Sequence, residues 1–404
     1  MADSSKYLGS AAGGGDDPIF ALNAEAKRRA ASGEEVVNAT IGALVHDDGR
    51  LAVMPTVIEA FREAPLERAA GYAPIAGDPT FLSAVVTDLF GDGALASRSA
   101  IVATPGGSGA LHLAITNFLR PGDRLLTSRH YWGPYETMAT HTGRGVATFE
   151  TFDEDLRFDV AAFGRGLDQI LDEQGRALVI LNFPCHNPTG YSLDDDEWTA
   201  VTEHVRRAGE RGPVTVLIDH AYAAFGAAGS DGWTRHAEAM TDHALVLVAW
   251  TASKSFAQYG SRIGALVVVT PDEVERTRIA ATLSYACRAT WSNCNHLGQL
   301  VIGGLLSDDG RRATIADERA ALVDLLSTRV TAFCDEASQR KIVHPRYEGG
   351  FFVAVPTEDA ESCAAAMRDD GVFVIPIDRA VRVALCSTSA GDVPRLVDSL
   401  ARQA

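Results

Sequence analysis

The 404-residue chain has six cysteines (Cys185, Cys287, Cys294, Cys334, Cys363 and Cys386), with no C-x-x-C pair and no metal-ligand spacing among them. The sequence therefore offers no metal site. The cysteines read as reduced, mostly buried thiols of a cytoplasmic protein. No apolar run reaches the length of a membrane span, and Met1-Ala-Asp-Ser-Ser5 lacks the charged-then-apolar pattern of a secretory signal. Positive charge is scarce: 36 Lys and Arg face 53 Asp and Glu, for a net charge of −17. That argues against nucleic acid or an anionic membrane as the main partner, and says little about a small anionic cofactor, which feels local residues. Neither a G-x-G-x-x-G dinucleotide fingerprint nor a Walker A motif occurs, and there is no internal repeat. What is present is 46% hydrophobic and 22% charged, a globular composition long enough for two domains.

The stretch Leu245 to Gly264 organises the rest. Leu245-Val-Leu-Val-Ala-Trp250 reads as a fully buried strand. It runs directly into Ser253-Lys254, and Arg262 follows eight residues on. Burial disfavours an ammonium ion and lowers its pKa, and a partly neutral amine can attack an aldehyde. Taken alone, Lys254 reads more readily as a solvated loop lysine, since perturbed groups are seldom functional. Arg262 changes the balance because it can pair with a phosphate. An aldehyde together with a phosphate describes pyridoxal phosphate (PLP). The chain should then supply partners for the pyridine nitrogen, the ring oxygen and the ring face.

Residues 1–17, rich in Gly, Ala, Ser and Asp, read as a flexible arm. Helices are expected from Ile19 to Ala31 and from Pro55 to Glu67, and another is capped by Asp78-Pro79. Ile101-Val-Ala-Thr-Pro-Gly-Gly-Ser-Gly-Ala110 is a strand, a glycine-rich turn and a helix beginning at Ala110. Such a helix start favours a phosphate, although a plain tight turn has the same pattern. Tyr131 and Trp132 close another strand, and either can stack on a flat ring. Ala177-Leu-Val-Ile-Leu181 delivers the rigid loop Phe183-Pro-Cys-His-Asn187-Pro-Thr-Gly190 to a strand's C-terminal end, where open α/β sheets bind ligands. Val214-Thr-Val-Leu-Ile-Asp219 is a buried strand ending in a carboxylate, with Tyr222 three residues later. Asp219 suits a pyridinium proton, or a turn cap. Arg382, at the start of an apolar strand from Val381 to Leu385, suits a carboxylate clamp or an edge-strand arginine. A long helix from Thr314 and a strand from Val372 to Ile375 are also expected.

With these residues in place, the chain from about residue 18 onward resembles a class I aminotransferase of the aspartate aminotransferase type, a fold-type I PLP enzyme. Asn187-Pro-Thr-Gly190, Asp219-His-Ala-Tyr222 and Ser253-Lys254-Ser-Phe…Arg262-Ile-Gly264 are similar to that family's motifs. The resemblance implies an α/β fold with a large domain built on a mainly parallel seven-stranded sheet, plus a smaller α/β domain. Residues 18–50 and 316–404 would form the smaller domain and residues 51–315 the larger. It implies Lys254 as the Schiff-base lysine, Asp219 on the ring nitrogen, and Asn187 and Tyr222 on the ring oxygen. Ser108, Gly109, Ala110, Ser253 and Arg262 would hold the phosphate, and Trp132, or Tyr131 in an ungapped alignment, would stack on the ring. Tyr72 would reach a neighbouring subunit's phosphate in a homodimer. Gly42, Asn187 and Arg382 would meet the substrate α-carboxylate, and Arg288 a distal carboxylate in the partner's site. The implied reaction moves an amino group between a dicarboxylic or aromatic amino acid and a 2-oxo acid. Gly133-Pro134, Asn182-Phe-Pro-Cys185 and Leu385-Cys386-Ser387 depart from the family pattern around the substrate. They keep open a PLP-dependent lyase or carbon–carbon bond-forming enzyme.

Overall fold

The computed structural model describes residues 18–227 and 229–403. The expected arm, residues 1–17, lies outside the described residues. The strands in chain order are β1 (Val37–Asn38), β2 (Ser99–Pro105), β3 (Arg124–Ser128), β4 (Gly145–Phe149), β5 (Ala177–Leu181), β6 (Val214–Asp219), β7 (Leu245–Thr251), β8 (Ile263–Val269), β9 (Phe352–Pro356), β10 (Val372–Phe373), β11 (Ile375–Ile377) and β12 (Ala380–Ala384). Seven of them make one sheet in the order β2-β8-β7-β6-β5-β3-β4. Every neighbouring pair is parallel except those of β8, which runs antiparallel to both β2 and β7. This is the expected mainly parallel seven-stranded α/β sheet. Strands β5, β6 and β8 are buried at every residue, as a sheet covered by helices on both faces requires.

Local chemistry sets the element ends. Asp194 accepts from the Glu197 N–H while Glu197 accepts from the Asp194 N–H, a reciprocal box that starts the helix Asp195–Gly209. Asp78 caps Pro79–Phe90 through the N–H groups of Thr80 and Phe81. Three expectations shift. The helix expected over residues 55–67 is broken into Pro55–Arg62 and Leu66–Ala69, because Pro65 has no N–H and disfavours a helical residue before it. The glycine-rich turn after β2 is itself helical, so that helix runs Gly106–Phe118. The strand expected from Val372 to Ile375 is divided: β10 pairs with β1, whereas β11 pairs with β12.

A second cluster of strands stands apart from the large sheet. Strands β11, β12 and β9 form an antiparallel sheet, and β1 joins β10 through Val37↔Val372 and Asn38↔Phe373. The helix Asp309–Gln339 runs unbroken through the expected boundary at residue 315. Its Arg329 is 0% exposed. The guanidinium donates to the Cys386 carbonyl at 2.8 Å, the Val45 carbonyl at 2.7 Å and Asp47 Oδ1 at 2.7 Å. One side chain thus joins the long helix to both ends of the chain. Arg329→Met should remove a donor from the half-buried Val45 carbonyl and the buried Cys386 carbonyl and lower stability by about 3 kcal/mol. Chemical denaturation should show the loss, and Arg329→Lys should recover part of it.

Candidate active site

Parallel strands end along one edge of a sheet, so residues just beyond β3, β5, β6 and β7 meet there. Trp132, Asn182, Asn187, Asp219 and Lys254 follow or close these strands. They line one cavity of about 180 Å³ together with Ser108, Tyr222, Ser253 and Arg262. Two wider clefts, of about 1310 and 570 Å³, contain none of these groups. Size alone therefore does not identify the site, whereas the convergence of polar side chains does.

Lys254 lies on a single helical turn, Ala252–Ser255, three residues past β7. Thr251 starts the turn by accepting from the Ser253 N–H. Burial pulls the Lys254 ammonium down to about 8. Asp219 opposes that shift and Arg262 adds to it. Its Nζ is 5.2 Å from the Tyr222 ring centroid and 5.9 Å from that of Tyr259. Asp219 is buried, and burial raises its pKa against the opposing pull of Tyr135 and Lys254. Tyr135 donates its hydroxyl to Asp219 Oδ2 at 2.6 Å, and the Ala221 N–H donates to Oδ1 at 3.3 Å.

Asn182, which the sequence pattern did not mark as functional, spans two strand ends. Its Nδ2 donates to the Asp219 carbonyl at 2.8 Å and its Oδ1 accepts the Asn187 N–H at 2.7 Å. Asn187 Nδ2 in turn reaches Tyr222 Oη at 3.4 Å, leaving Asn187 Oδ1 buried without a partner. Trp132 lines the cavity, whereas Tyr131 does not; the Tyr131 hydroxyl donates to Glu136 and its ring stacks on Tyr135.

The anion end is formed where β8 meets the helix Gly106–Phe118. Arg262 has φ of 52°, and its guanidinium reaches Ser108 Oγ at 3.4 Å and Ser253 Oγ at 3.5 Å. Gly106 has φ of 72°, and a Cβ there would lie 2.6 Å from Arg262 Nη2, so the arginine occupies the space a side chain would fill. Gly107 and Ser108 line the cavity. Gly109 and Ala110 are buried in the following turn, Gly109 against Pro105.

The remaining residues lie outside this cavity. Arg382 is buried on β12, donates to the Thr40 carbonyl at 2.7 Å and lies 4.4 Å from the Phe352 ring centroid. A Cβ on Gly42 would approach Phe352 Cζ to 2.6 Å, so glycine there lets the ring lie flat beneath the arginine. Phe352 also packs edge-on against Tyr222, which connects this stack to the cavity wall. Tyr72 is 92% exposed, and the exposed Arg288 donates to Ser292 Oγ at 2.6 Å. Neither joins the site within its own chain. Burial raises the Cys386 thiol to about 12, and its Sγ donates to the Ile41 carbonyl at 3.3 Å, which leaves it a packing residue.

These features fit PLP. A cavity of roughly 150 Å³ holds a benzene-sized ring. At one end a helix N-terminus faces a guanidinium and two hydroxyls, a phosphate's chemistry. At the other, the hydrogen bonds to the Asp219 carboxylate come from neutral donors, Tyr135 and the Ala221 N–H, so a cationic N–H can complete its partners. Asn187, with its orphaned Oδ1, and Tyr222 line the space between, beside the Lys254 amine.

The model for the family "Aminotransferase class I and II" matches residues 34–400. The aromatic-amino-acid aminotransferase of Escherichia coli (strain K12) is 30% identical over 79% of this chain and 79% of its own length. The aspartate aminotransferase of Pseudomonas aeruginosa is 28% identical over 77% and 80%. Among solved structures, an aminotransferase from Anaerococcus prevotii superposes with a TM-score of 0.92 at 30% identity, covering 100% of this chain and 99% of that one. With the motifs in sequence order and converging in space, the chain belongs to the class I and II aminotransferases, whose cofactor is PLP.

Proposed function

We propose that the enzyme transfers the amino group of a dicarboxylic or aromatic amino acid to a 2-oxo acid, at sites shared between the subunits of a homodimer. The observation that carries this reading is the half-buried Lys254, lowered to about 8 and held beside buried Asp219. PLP, when bound, supplies the aldehyde that joins Lys254 and a protonated pyridine that accepts electrons from the substrate Cα. Asp219 would keep the pyridine N–H charged; Tyr135 and the Ala221 N–H fix that carboxylate, and Asn182 holds its backbone carbonyl. Asn187 and Tyr222 hold the ring oxygen, Trp132 covers one ring face, and Ser108, Ser253 and Arg262 bind the phosphate with the backbone around Gly109 and Ala110. The Lys254 amine, beside the cavity, would be the group that takes a proton from the substrate Cα and gives it back on the cofactor side. An amine with a pKa near neutrality suits both halves of that transfer.

Arg382, stacked on Phe352 and beside Gly42, is the anchor for the α-carboxylate. Tyr72 and Arg288 extend outward, which supports their service to a neighbouring subunit. The two curated relatives reported above carry aromatic-amino-acid and aspartate names, so both side-chain classes remain in the proposal. The pairing of β1 with β10 supports placing residues 18–50 with 316–404 in one smaller unit, and 51–315 in the larger. Six free thiols support a cytoplasmic location.

Borohydride should fix a phosphopyridoxyl group on Lys254. In apoprotein, the reaction of Lys254 with an aldehyde should rise with pH to half its maximum near pH 8, because burial lowers its pKa to about 8. An exposed lysine would give a midpoint of about 10.4. A label on another lysine would overturn the assignment.

Mixed dimers of inactive Lys254→Ala and an impaired Tyr72→Ala should regain activity, since one composite site then holds every wild-type group. Failure to complement, with subunit exchange demonstrated, would place Tyr72 in its own chain's site.

Arg288→Ala should lower kcat/KM for aspartate and glutamate by about 100-fold, the scale of losing a charge-assisted contact, while an aromatic substrate changes little. Equal losses for both classes would remove Arg288 from side-chain recognition.

A further inference from the structure

The turn that presents Lys254 is too short to satisfy itself. A four-residue helix leaves its last carbonyls without partners inside the helix, and Ala252–Ser255 is such a turn. Two of its carbonyls are used locally: Phe256 N–H donates to the Ala252 carbonyl and Ala257 N–H to the Lys254 carbonyl. The Ser255 carbonyl, one residue beyond the lysine, instead accepts Arg319 Nε–H at 2.8 Å, across a separation of 64 residues. The Arg319 guanidinium carbon lies 5.1 Å from the centroid of the Phe256 ring, itself 0% exposed. Directly after, Ala257 has φ of 51°, a left-handed conformation disfavoured for a residue bearing a Cβ. The chain therefore leaves Lys254 by an unfavourable path that local bonds alone do not secure.

We propose that Arg319 is a positioning residue for Lys254, clamping the Ser255 carbonyl and the Phe256 ring so that the amine keeps its place at the cavity. Arg319 lies on the helix Asp309–Gln339, which also carries Arg329. The lysine's position is thus fixed from outside the large sheet. The inference rests on the reading that Lys254 carries the cofactor.

The test compares two ligands of the apoprotein. PLP has an aldehyde and gains affinity from Lys254; pyridoxamine phosphate has the same ring and phosphate but cannot join the lysine. Arg319→Met, which keeps most of the stem over Phe256, should weaken PLP binding about tenfold, the scale of one charge-assisted hydrogen bond. Its pyridoxamine phosphate affinity should stay within about twofold of wild type by the same reasoning. Arg319→Lys should lie between wild type and Arg319→Met for PLP, and it is read alone if Arg319→Met does not fold. Equal losses for the two ligands, or no loss for either, would overturn the proposal. Lys254→Ala serves as the reference. If it keeps the wild-type preference for PLP over pyridoxamine phosphate, the assignment of Lys254 itself fails, whatever Arg319 does.

Discussion

The backbones of Gly106 and Gly264 touch, and the geometry of the site follows from that contact. A Cβ on Gly264 would come within 2.5 Å of the Gly106 carbonyl carbon. Glycine at 264 lets β8 pass so near the start of the helix Gly106–Phe118, and glycine at 106 leaves room for the Arg262 guanidinium. Because β8 runs antiparallel beside β7, its first residues lie next to the last residues of β7, with Gly264 opposite Thr251. Arg262, just before β8, and Lys254, just after β7, are therefore brought to the same edge. The Arg262 end and the Lys254 end of the cavity have a fixed spacing because both hang from one pair of hydrogen-bonded strands.

The electrostatics depend on the same enclosure. Burial alone disfavours charge on both Lys254 and Asp219, and each partly restores the other. Tyr135 holds the Asp219 carboxylate and Asn182 its backbone carbonyl, neither bringing a formal charge. A cation hydrogen-bonded to the carboxylate would compete with the pyridine N–H. Neutral donors orient it and leave its charge for the ligand.

Much of this was legible in the sequence where function follows secondary structure. Lys254, Asp219 and Asn187 each come at or soon after an apolar run that could only be a buried strand, and parallel strands put such residues on one edge. The groups that were missed act across the fold. Tyr135 meets Asp219 over 84 residues, Asn182 reaches the Asp219 carbonyl over 37, and Arg319 meets Ser255 over 64. No periodicity records those pairings. Asn182 was visible only as part of an altered loop, and Tyr135 only as an aromatic in a short helix after Gly133-Pro134. The break at Pro65 was readable, since proline carries its own stop signal. The division between β10 and β11 was not, because it depends on β1, which comes more than 300 residues earlier.

That last pairing bears on how the protein is made. Strand β1 has no partner until β10 has been synthesised, and the Val37–Val372 register closes across most of the chain. Contacts of such long range carry a large loop-closure entropy and form late. On a ribosome, the strands of the seven-stranded sheet, ending at Val269, all emerge before residue 372, so the large sheet can assemble while the first segment still waits. Arg382 and the residue 40–45 segment it contacts reach their places only then. The segments carrying Lys254, Asp219 and Arg262 are thus made before the one that carries Arg382.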